Sequence, residues 1–266
     1  MAALELDARL DNLLSTAQVA TADIDLFAPI TYKEECPLCL IPLPREDNQS
    51  TFAECCGKRV CCGCIFRNLE TEKTKRRNGL DFVGFHKILN AKCAFCRQPN
   101  LGNTIKRLRK LMKKNNPHAF IEMAIYYQSG EGVIQSDTRS IEMYIRAAEL
   151  GYGEAFAHIG DCYKEGTAVE PDVPKALAFF ELAAKKESVY AHHQLALYHS
   201  HMDLSNGISM NLCIKHLKVA ASAGCQEAID SLMKLYKDKV LSKEDLTQTL
   251  RDFQSSNNEM KSKDRV

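Results

Sequence analysis

Nine of the chain's twelve cysteines lie between Cys36 and Cys96. Six of them form three Cys-x-x-Cys pairs, Cys36/Cys39, Cys61/Cys64 and Cys93/Cys96, and the adjacent Cys55 and Cys56 fall between the first two pairs. A Cys-x-x-Cys turn places two thiolates on one tetrahedral ion, because the two intervening residues turn tightly and their amide groups stabilise the sulfur charge. Eight thiolates at this spacing imply two zinc ions. Four sulfurs per ion leave no open position for water or substrate, so the ions are expected to be structural and hydrolytic metal chemistry is not expected. Spacing alone leaves the grouping open. A sequential assembly would join Cys36, Cys39, Cys55 and Cys56 on one ion and Cys61, Cys64, Cys93 and Cys96 on the other; an interleaved one fits equally well.

The elements that must position these thiols are short. Residues 31–100 are cysteine-rich and irregular, with turn-forming Pro37, Pro42, Pro44, Gly57 and Gly63 and few large aliphatics. A segment of that size builds a poor core, so metal is expected to supply much of its folding energy. From Asn103 the character changes. NTIKRLRKLMKKNN reads as a helix capped by Asn103, with Ile105, Leu108 and Leu111/Met112 on one face.

Beyond it the chain repeats itself. Ala119, Ala155, Ala191 and Ala228 are spaced by 36, 36 and 37 residues, and four positions after each comes Met123, Ile159, Leu195 or Leu232. Ala147-Ala148, Ala183-Ala184 and Ala220-Ala221 recur at the same period, each pair preceded by Tyr144, Phe180 or Leu217. Small residues at fixed helical positions let two helices approach closely, and the large ones fill the space between hairpins. One such unit cannot bury its apolar face alone, so neighbours must stack. The third unit has one extra residue, placed in its loop HSHMDLSNG. The fourth ends in the more polar KEDLTQTLRDF, as a terminal cap should, and FQSSNNEMKSKDRV is expected to be disordered.

The 36-residue period, with GEGV at Gly130–Val133 and RAAELG at Arg146–Gly151, resembles the Sel-one-like repeat family, a relative of the tetratricopeptide repeat. The resemblance covers residues 116–237; in the third unit Met202 stands where Gly130 and Gly166 stand in the first two. It implies an α-solenoid that binds protein and performs no chemistry of its own.

ECPLCLIPLP, ECCGKRVCCGC and KCAFCRQP resemble the RING-type zinc finger, a cross-braced fold with two zinc ions, over residues 36–99. The resemblance implies that Cys36, Cys39, Cys61 and Cys64 hold one ion, and that Cys56, Cys93, Cys96 and one further group hold the other. The family's usual histidine falls at Lys58, whose ammonium has no lone pair to give. Cys55 is the nearest replacement, with His86 and Cys62 as the other donors; sharing one ion between adjacent Cys55 and Cys56 is expected to strain the backbone. RING ligases hold a charged ubiquitin-conjugating enzyme in a reactive conformation, so their catalysis is positioning and no residue is catalytic in the covalent sense. The family's conjugating-enzyme contacts match Leu38 and Arg97. The proline after the seventh ligand is Ala94 here. The tryptophan of the central helix is missing, since the chain has none, and Ile65 or Phe66 is the substitute apolar surface.

The expected architecture is therefore mostly α, a small two-zinc cross-braced RING-like module followed by an α/α solenoid of helical-hairpin repeats. Its expected parts are an N-terminal segment (1–30) with a short amphipathic helix bearing Leu10, Leu13, Leu14 and Ala17, the zinc module (31–100), a basic connecting helix (101–115), the repeats (116–256) and a disordered tail (257–266). The expected partners are a ubiquitin-conjugating enzyme and a protein substrate or adaptor on the repeats. A zinc-stabilised scaffold without transfer activity is the other reading.

The remaining signals exclude more than they add. The net charge of +1 implies no global electrostatic partner. Lys73, Lys75, Arg76 and Arg77, and the cations from Lys106 to Lys114, read as solvated helix faces and not as a nucleic-acid patch, since no aromatics interleave them. Histidines at 192, 193, 199 and 201 do not share a helix face as neighbours and read as surface and groove residues. GEGVIQ and GYGEAF lack the preceding strand of a dinucleotide site and read as repeat turns. Cys162, Cys213 and Cys225 read as packing residues inside helices. MAALELDARLDNLL has no basic region before an apolar run, and no window approaches the roughly 20 apolar residues that span a bilayer. A cytoplasmic or nuclear location, with no membrane contact, is the expectation.

Overall fold

The computed structural model describes residues 2–31, 34–43, 50–61, 64–65, 93–96, 104–201 and 207–260. The chain divides into two compact units, one formed by residues 33–119 with the last ten residues, the other by residues 1–32 and 120–256.

The first unit contains a two-stranded antiparallel sheet, β1 (Ser50–Ala53) and β2 (Lys58–Cys61), paired Ser50 to Cys61 through Ala53 to Lys58. A helix, α2 (Thr104–Met112), follows. Leu108 and Leu111 are its buried face, as the heptad-like spacing predicts, whereas Arg109, Lys110, Lys113 and Lys114 are exposed to solvent. Asn103, the expected cap, lies outside the described residues. Asn115 adopts a left-handed φ of 54° and ends the helix. Asn116 then donates from Nδ2 to the carbonyl of Gly57 at 3.2 Å, which ties the helix exit to the sheet's turn. Its Oδ1 also accepts from the N–H of Ala119 at 3.2 Å and so caps the next helix.

Four helical hairpins make up most of the second unit. They are α3 (Pro117–Ser129) with α4 (Asp137–Glu149), α5 (Gly153–Glu165) with α6 (Val173–Lys185), α7 (Val189–His201) with α8 (Gly207–Ser222), and α9 (Gln226–Lys237) with α10 (Lys243–Met260). Caps set the second helices where side-chain oxygens were available in sequence. Ser136 accepts from the Arg139 N–H, Asp172 from Lys175 ahead of a proline in the first turn, and Ser242 from Asp245. Gly130 and Gly166 end the first helices at φ of 74°, a left-handed cap that glycine adopts without strain. The corresponding Met202 lies outside the described residues.

The periodic alanines are where the helices meet. Ala119, Ala155, Ala191 and Ala228 are fully buried, as are Ala147, Ala183, Ala220 and Ala221. Between them Met123, Ile159, Leu195, Leu232, Tyr144, Phe180 and Leu217 fill the core. One position after each large residue of the first helices stands another small one, Ala124, Gly160 or Ala196. In the last hairpin it is the exposed Met233, which marks the end of the stack. A Cβ at Gly160 would lie 2.9 Å from the Phe180 ring of the same hairpin. Successive hairpins also stack through aromatic rings, with Tyr144 of α4 on His158 of α5 at 4.6 Å.

The N-terminal segment belongs to this unit. It forms one helix, α1 (Ala2–Ala20), longer than the short element expected. Leu6, Leu10 and Ala17 are buried, Leu13 and Leu14 only half so. At the other end α10 continues to Met260, so residues 257–260 are helical and not disordered; residues 261–266 lie outside the described set.

Two buried histidines were not foreseen. His192 of α7 and His216 of α8 face each other with their Nδ1 atoms 3.0 Å apart, which requires opposite tautomers, and His199 stacks on His216 at 5.8 Å. They are 24 residues apart on different helices, so comparison of neighbours along one helix misses them. Burial holds His192 down to about 4 against the raising effect of a hydrogen bond with the backbone at Ala184. Burial, with the charges of His192 and His199, holds His216 down to about 3.

Two outcomes follow from this packing. Gly160→Ala should destabilise the array by about 1–3 kcal/mol, read by urea denaturation of its helicity. The unfolded chain binds protons at both histidines below about pH 6.5 while the folded one refuses them, so stability is present above that pH and drains away as pH falls towards 4. The melting temperature followed by helicity should decline over that window, and less steeply in His216→Gln.

Candidate metal centre

The first cysteine pair sits in a knuckle. Glu35 and Pro42 form a single bridge, the Cys36 N–H donates to the Ile41 carbonyl at 3.0 Å, and the Leu40 N–H returns to the Cys36 carbonyl at 2.8 Å. Closing so tight a turn forces Leu40 to a left-handed φ of 57°, an uncommon conformation for a residue with a Cβ. The chain tolerates this strain to aim Cys36 and Cys39 the same way. Cys55 and Cys56 lie in the turn between β1 and β2, where the N–H groups of Cys56 and Gly57 both donate to the Ala53 carbonyl. Neither cysteine has a positive φ; the left-handed residue is Gly57, so the strain expected at the adjacent pair is absent. Cys61 ends β2 and Cys64 follows it, its N–H 3.5 Å from the Cys61 Sγ.

These positions converge in two tetrads. Cys36, Cys39, Cys61 and Cys64 form one; Cys55, Cys56, Cys93 and Cys96 form the other, with the sulfurs of each tetrad within 4.8 Å of one another. The grouping is interleaved, not sequential. Cys55 and Cys56 sit at the turn of the hairpin and Cys61 at the far end of β2, and the two positions reach different tetrads. His86 and Cys62, the other candidate donors, lie outside the described residues, as do Arg97 and Phe66.

The donor set fits a tetrahedral thiolate ion. Four Zn–S bonds of about 2.3 Å give sulfur–sulfur edges of about 3.8 Å. Cys39 and Cys61 are 3.8 Å apart, Cys56 and Cys93 4.0 Å, and Cys55 and Cys96 3.3 Å. All exceed a disulfide bond, and no disulfide links the described cysteines. The acid–base balance within each tetrad fits too. Burial opposes ionisation of Cys36, but N–H groups of Cys61, Leu38 and Cys39 outweigh it and bring the thiol down to about 7. Cys93 is lowered in the same way, against burial, by the N–H groups of Cys96 and Phe95. Burial and then the neighbouring sulfurs push Cys55 and Cys64 well up, while burial and the charges of Cys93 and Cys96 take Cys56 to about 11 despite a backbone hydrogen bond from Lys58. Each tetrad thus holds one thiol lowered by N–H groups beside at least one raised by burial and neighbouring sulfurs, a repulsion that a divalent cation would remove.

Little else supports this part of the fold. Among the described residues, the core around the first tetrad consists of Cys36 and Cys61 with Leu43, Val60 and Ala94, against which Cys39, Cys64 and Ile65 pack. Ile65 is partly buried there, and Phe66, the alternative apolar contact, lies outside the described residues. Among the described residues of this unit, the exposed apolar side chains are Leu38 (42%), Leu40 (71%) and Phe95 (40%), on the two knuckles. The last two escaped the sequence reading, although each directly flanks a ligand cysteine.

The other cysteines do not join a site. Cys162 and Cys213 are buried, and burial raises them to about 12 and about 11, which keeps the thiols protonated. Cys225, the N-cap of α9, packs partly buried against the core of the last hairpins.

Residues 117–152 and 155–188 match the Sel1 repeat family, which places the first two hairpins in that class. These two segments are Sel1 repeats. Such repeats mediate contacts between proteins. Chitin synthase regulatory factor 3 of Schizosaccharomyces pombe is 25% identical over 141 residues, or 49% of this chain. The chain covers only 15% of that relative. Among solved structures, a Sel1 repeat protein from Oxalobacter formigenes is 28% identical over 58% of this chain and 62% of its own, with a TM-score of 0.45. A protective antigen of uropathogenic Escherichia coli displaying an SLR fold is 23% identical over 61% of this chain and 35% of its own, with a TM-score of 0.48. No helix among the described residues is long and apolar enough to cross a membrane.

If both tetrads hold zinc, purified protein should contain two ions per chain by elemental analysis. Cys36→Ser should lower that count by one through the first tetrad and Cys56→Ser through the second, and removal by a strong chelator should melt the 33–119 unit while the repeat helicity persists.

Proposed function

We propose that residues 33–119 form a RING-type docking module stabilised by two zinc ions, and that the Sel1 array holds the protein to be modified or an adaptor for it. The module would recruit a charged ubiquitin-conjugating enzyme and bias it towards transfer. The observation that carries this reading is the interleaved grouping of the cysteines, first pair with third and second with fourth, with Leu38 exposed on the first knuckle. Two ions pinning the ends of one short hairpin would make a rigid platform out of a segment whose described residues bury few aliphatics around the tetrads. Rigidity is what such an activity needs. The chemistry belongs to the conjugating enzyme's thioester, and the module contributes orientation alone. Fully sulfur-ligated ions offer no Lewis-acid position, in keeping with a positioning role. Leu38 would supply apolar contact, and Arg97, directly after the last cysteine, would bridge conjugating enzyme and ubiquitin.

A second reading rests on the departures from the RING pattern: Ala94 in place of proline, Ile65 partly buried and no tryptophan in the chain. On that reading the module is a zinc-stabilised scaffold that assembles proteins without transfer. Autoubiquitination of the purified full chain across a broad panel of conjugating enzymes separates the two. Product formation that drops roughly tenfold or more, about 1.4 kcal/mol, in Leu38→Ala and in Arg97→Ala at unchanged zinc content supports the ligase. No product with any conjugating enzyme leaves the scaffold.

A further inference from the structure

Residues 1–31 carry five acidic side chains and one basic one, and they follow a row of cations on the repeat array. Asp11 pairs with Lys175 at 2.7 Å, and Asp7 lies 3.8 Å from the same ammonium. Asp7 also accepts from the Tyr163 hydroxyl at 3.0 Å, and Arg9 pairs with Glu149 at 2.6 Å. Further along, Lys185 donates to the Thr21 carbonyl at 3.2 Å, and the Lys215 ammonium stands 5.3 Å from the centre of the Phe27 ring. Thr31 ends the track, donating from its backbone and hydroxyl to Glu187.

We propose that this lysine-lined face is a docking groove for acidic amphipathic helices, and that residues 2–31 occupy it in cis as a replaceable ligand. The proposal rests on the protein-binding role of the repeats and is independent of ubiquitin transfer. Charge complementarity defines the partner: leucines at positions i and i+4 as anchors, after Leu6 and Leu10, with aspartates at i+1 and i+5 to meet Lys175 and Tyr163. Helix-in-groove recognition uses this spacing. The occupant is lightly held. Among the described side chains of α1 only Leu6, Leu10 and Ala17 are buried apolar anchors, and the ion pairs around them are solvent-exposed, where such pairs contribute little. The groove floor does not need it, because Tyr163 stacks on Phe179 within its own hairpin at 5.6 Å. An element with few buried contacts laid on a continuously packed core is the first to open.

The test uses a fluorescent peptide of residues 2–31 titrated with the full-length protein. The wild-type chain, its groove filled, should bind weakly. Leu10→Asp, which loosens the cis helix, should bind at least tenfold more tightly. Adding Lys175→Glu should reverse that gain, and a peptide carrying Asp7→Lys and Asp11→Lys should restore it. Arg9→Glu with Asp11→Lys in the chain loosens the helix without touching a buried side chain and should act in the same direction. Equal peptide affinity for wild type and both loosened chains overturns the proposal. So does collapse of repeat helicity in Leu10→Asp, because α1 would then be integral to the array. Equal binding of a peptide with Leu6→Ser and Leu10→Ser would reduce the effect to bulk charge and overturn it as well. None of these outcomes alters the transfer assay, so the two readings fail separately.

Discussion

A hairpin of thirty-six residues cannot bury its own apolar face, and the described residues around the cysteine tetrads bury few aliphatic side chains. The same shortage of local burial governs both parts of this chain, and each meets it differently. In the array, alanines and one glycine at constant helical positions bring backbones close enough for Tyr144, Phe180 and Leu217 to fill the space to the next hairpin. Stability is then shared between neighbours, and the stack stops where Met233 replaces a small residue and faces solvent. In the 33–119 unit the sulfurs occupy the positions that aliphatic side chains fill elsewhere, so the burial that would make a core is spent on groups whose charge needs a cation.

Electrostatics organises the second unit at a level that its totals conceal. A net charge of +1 describes a chain whose acidic start is laid against its own cations, and whose lysines at 175, 185 and 215 are spaced to receive it. Neutrality here is the sum of local complementarity. The histidine pair works in the opposite sense: His192 and His216 are kept uncharged by burial, and their mutual hydrogen bond needs at least one Nδ1 left without a proton.

The repeat fold was legible because its signal is periodic. Identical spacing of small and large residues over four units has few physical explanations, and each alanine singled out for its spacing is buried in the helix contacts. The cysteine positions were legible as candidate metal ligands by type, but spacing did not fix their grouping, which depends on contacts between residues far apart in sequence. Long-range pairs were invisible for the same reason. Nothing in the residues around His192 points to His216, and the leucines of α1 announce an apolar face without saying what covers it.

The pairing of Arg9 with Glu149 spans 140 residues of chain, and that of Phe27 with His216 still more. Among the described residues, the repeat helices pack on one another chiefly within hairpins and between adjacent ones, so the array can assemble stepwise as the ribosome delivers it. The helix α1 is made before the hairpins it packs on and has nowhere to go until they have been synthesised. At about 5–20 residues per second, it waits on the order of ten to forty seconds. During that interval it is an exposed acidic amphipath available to other proteins.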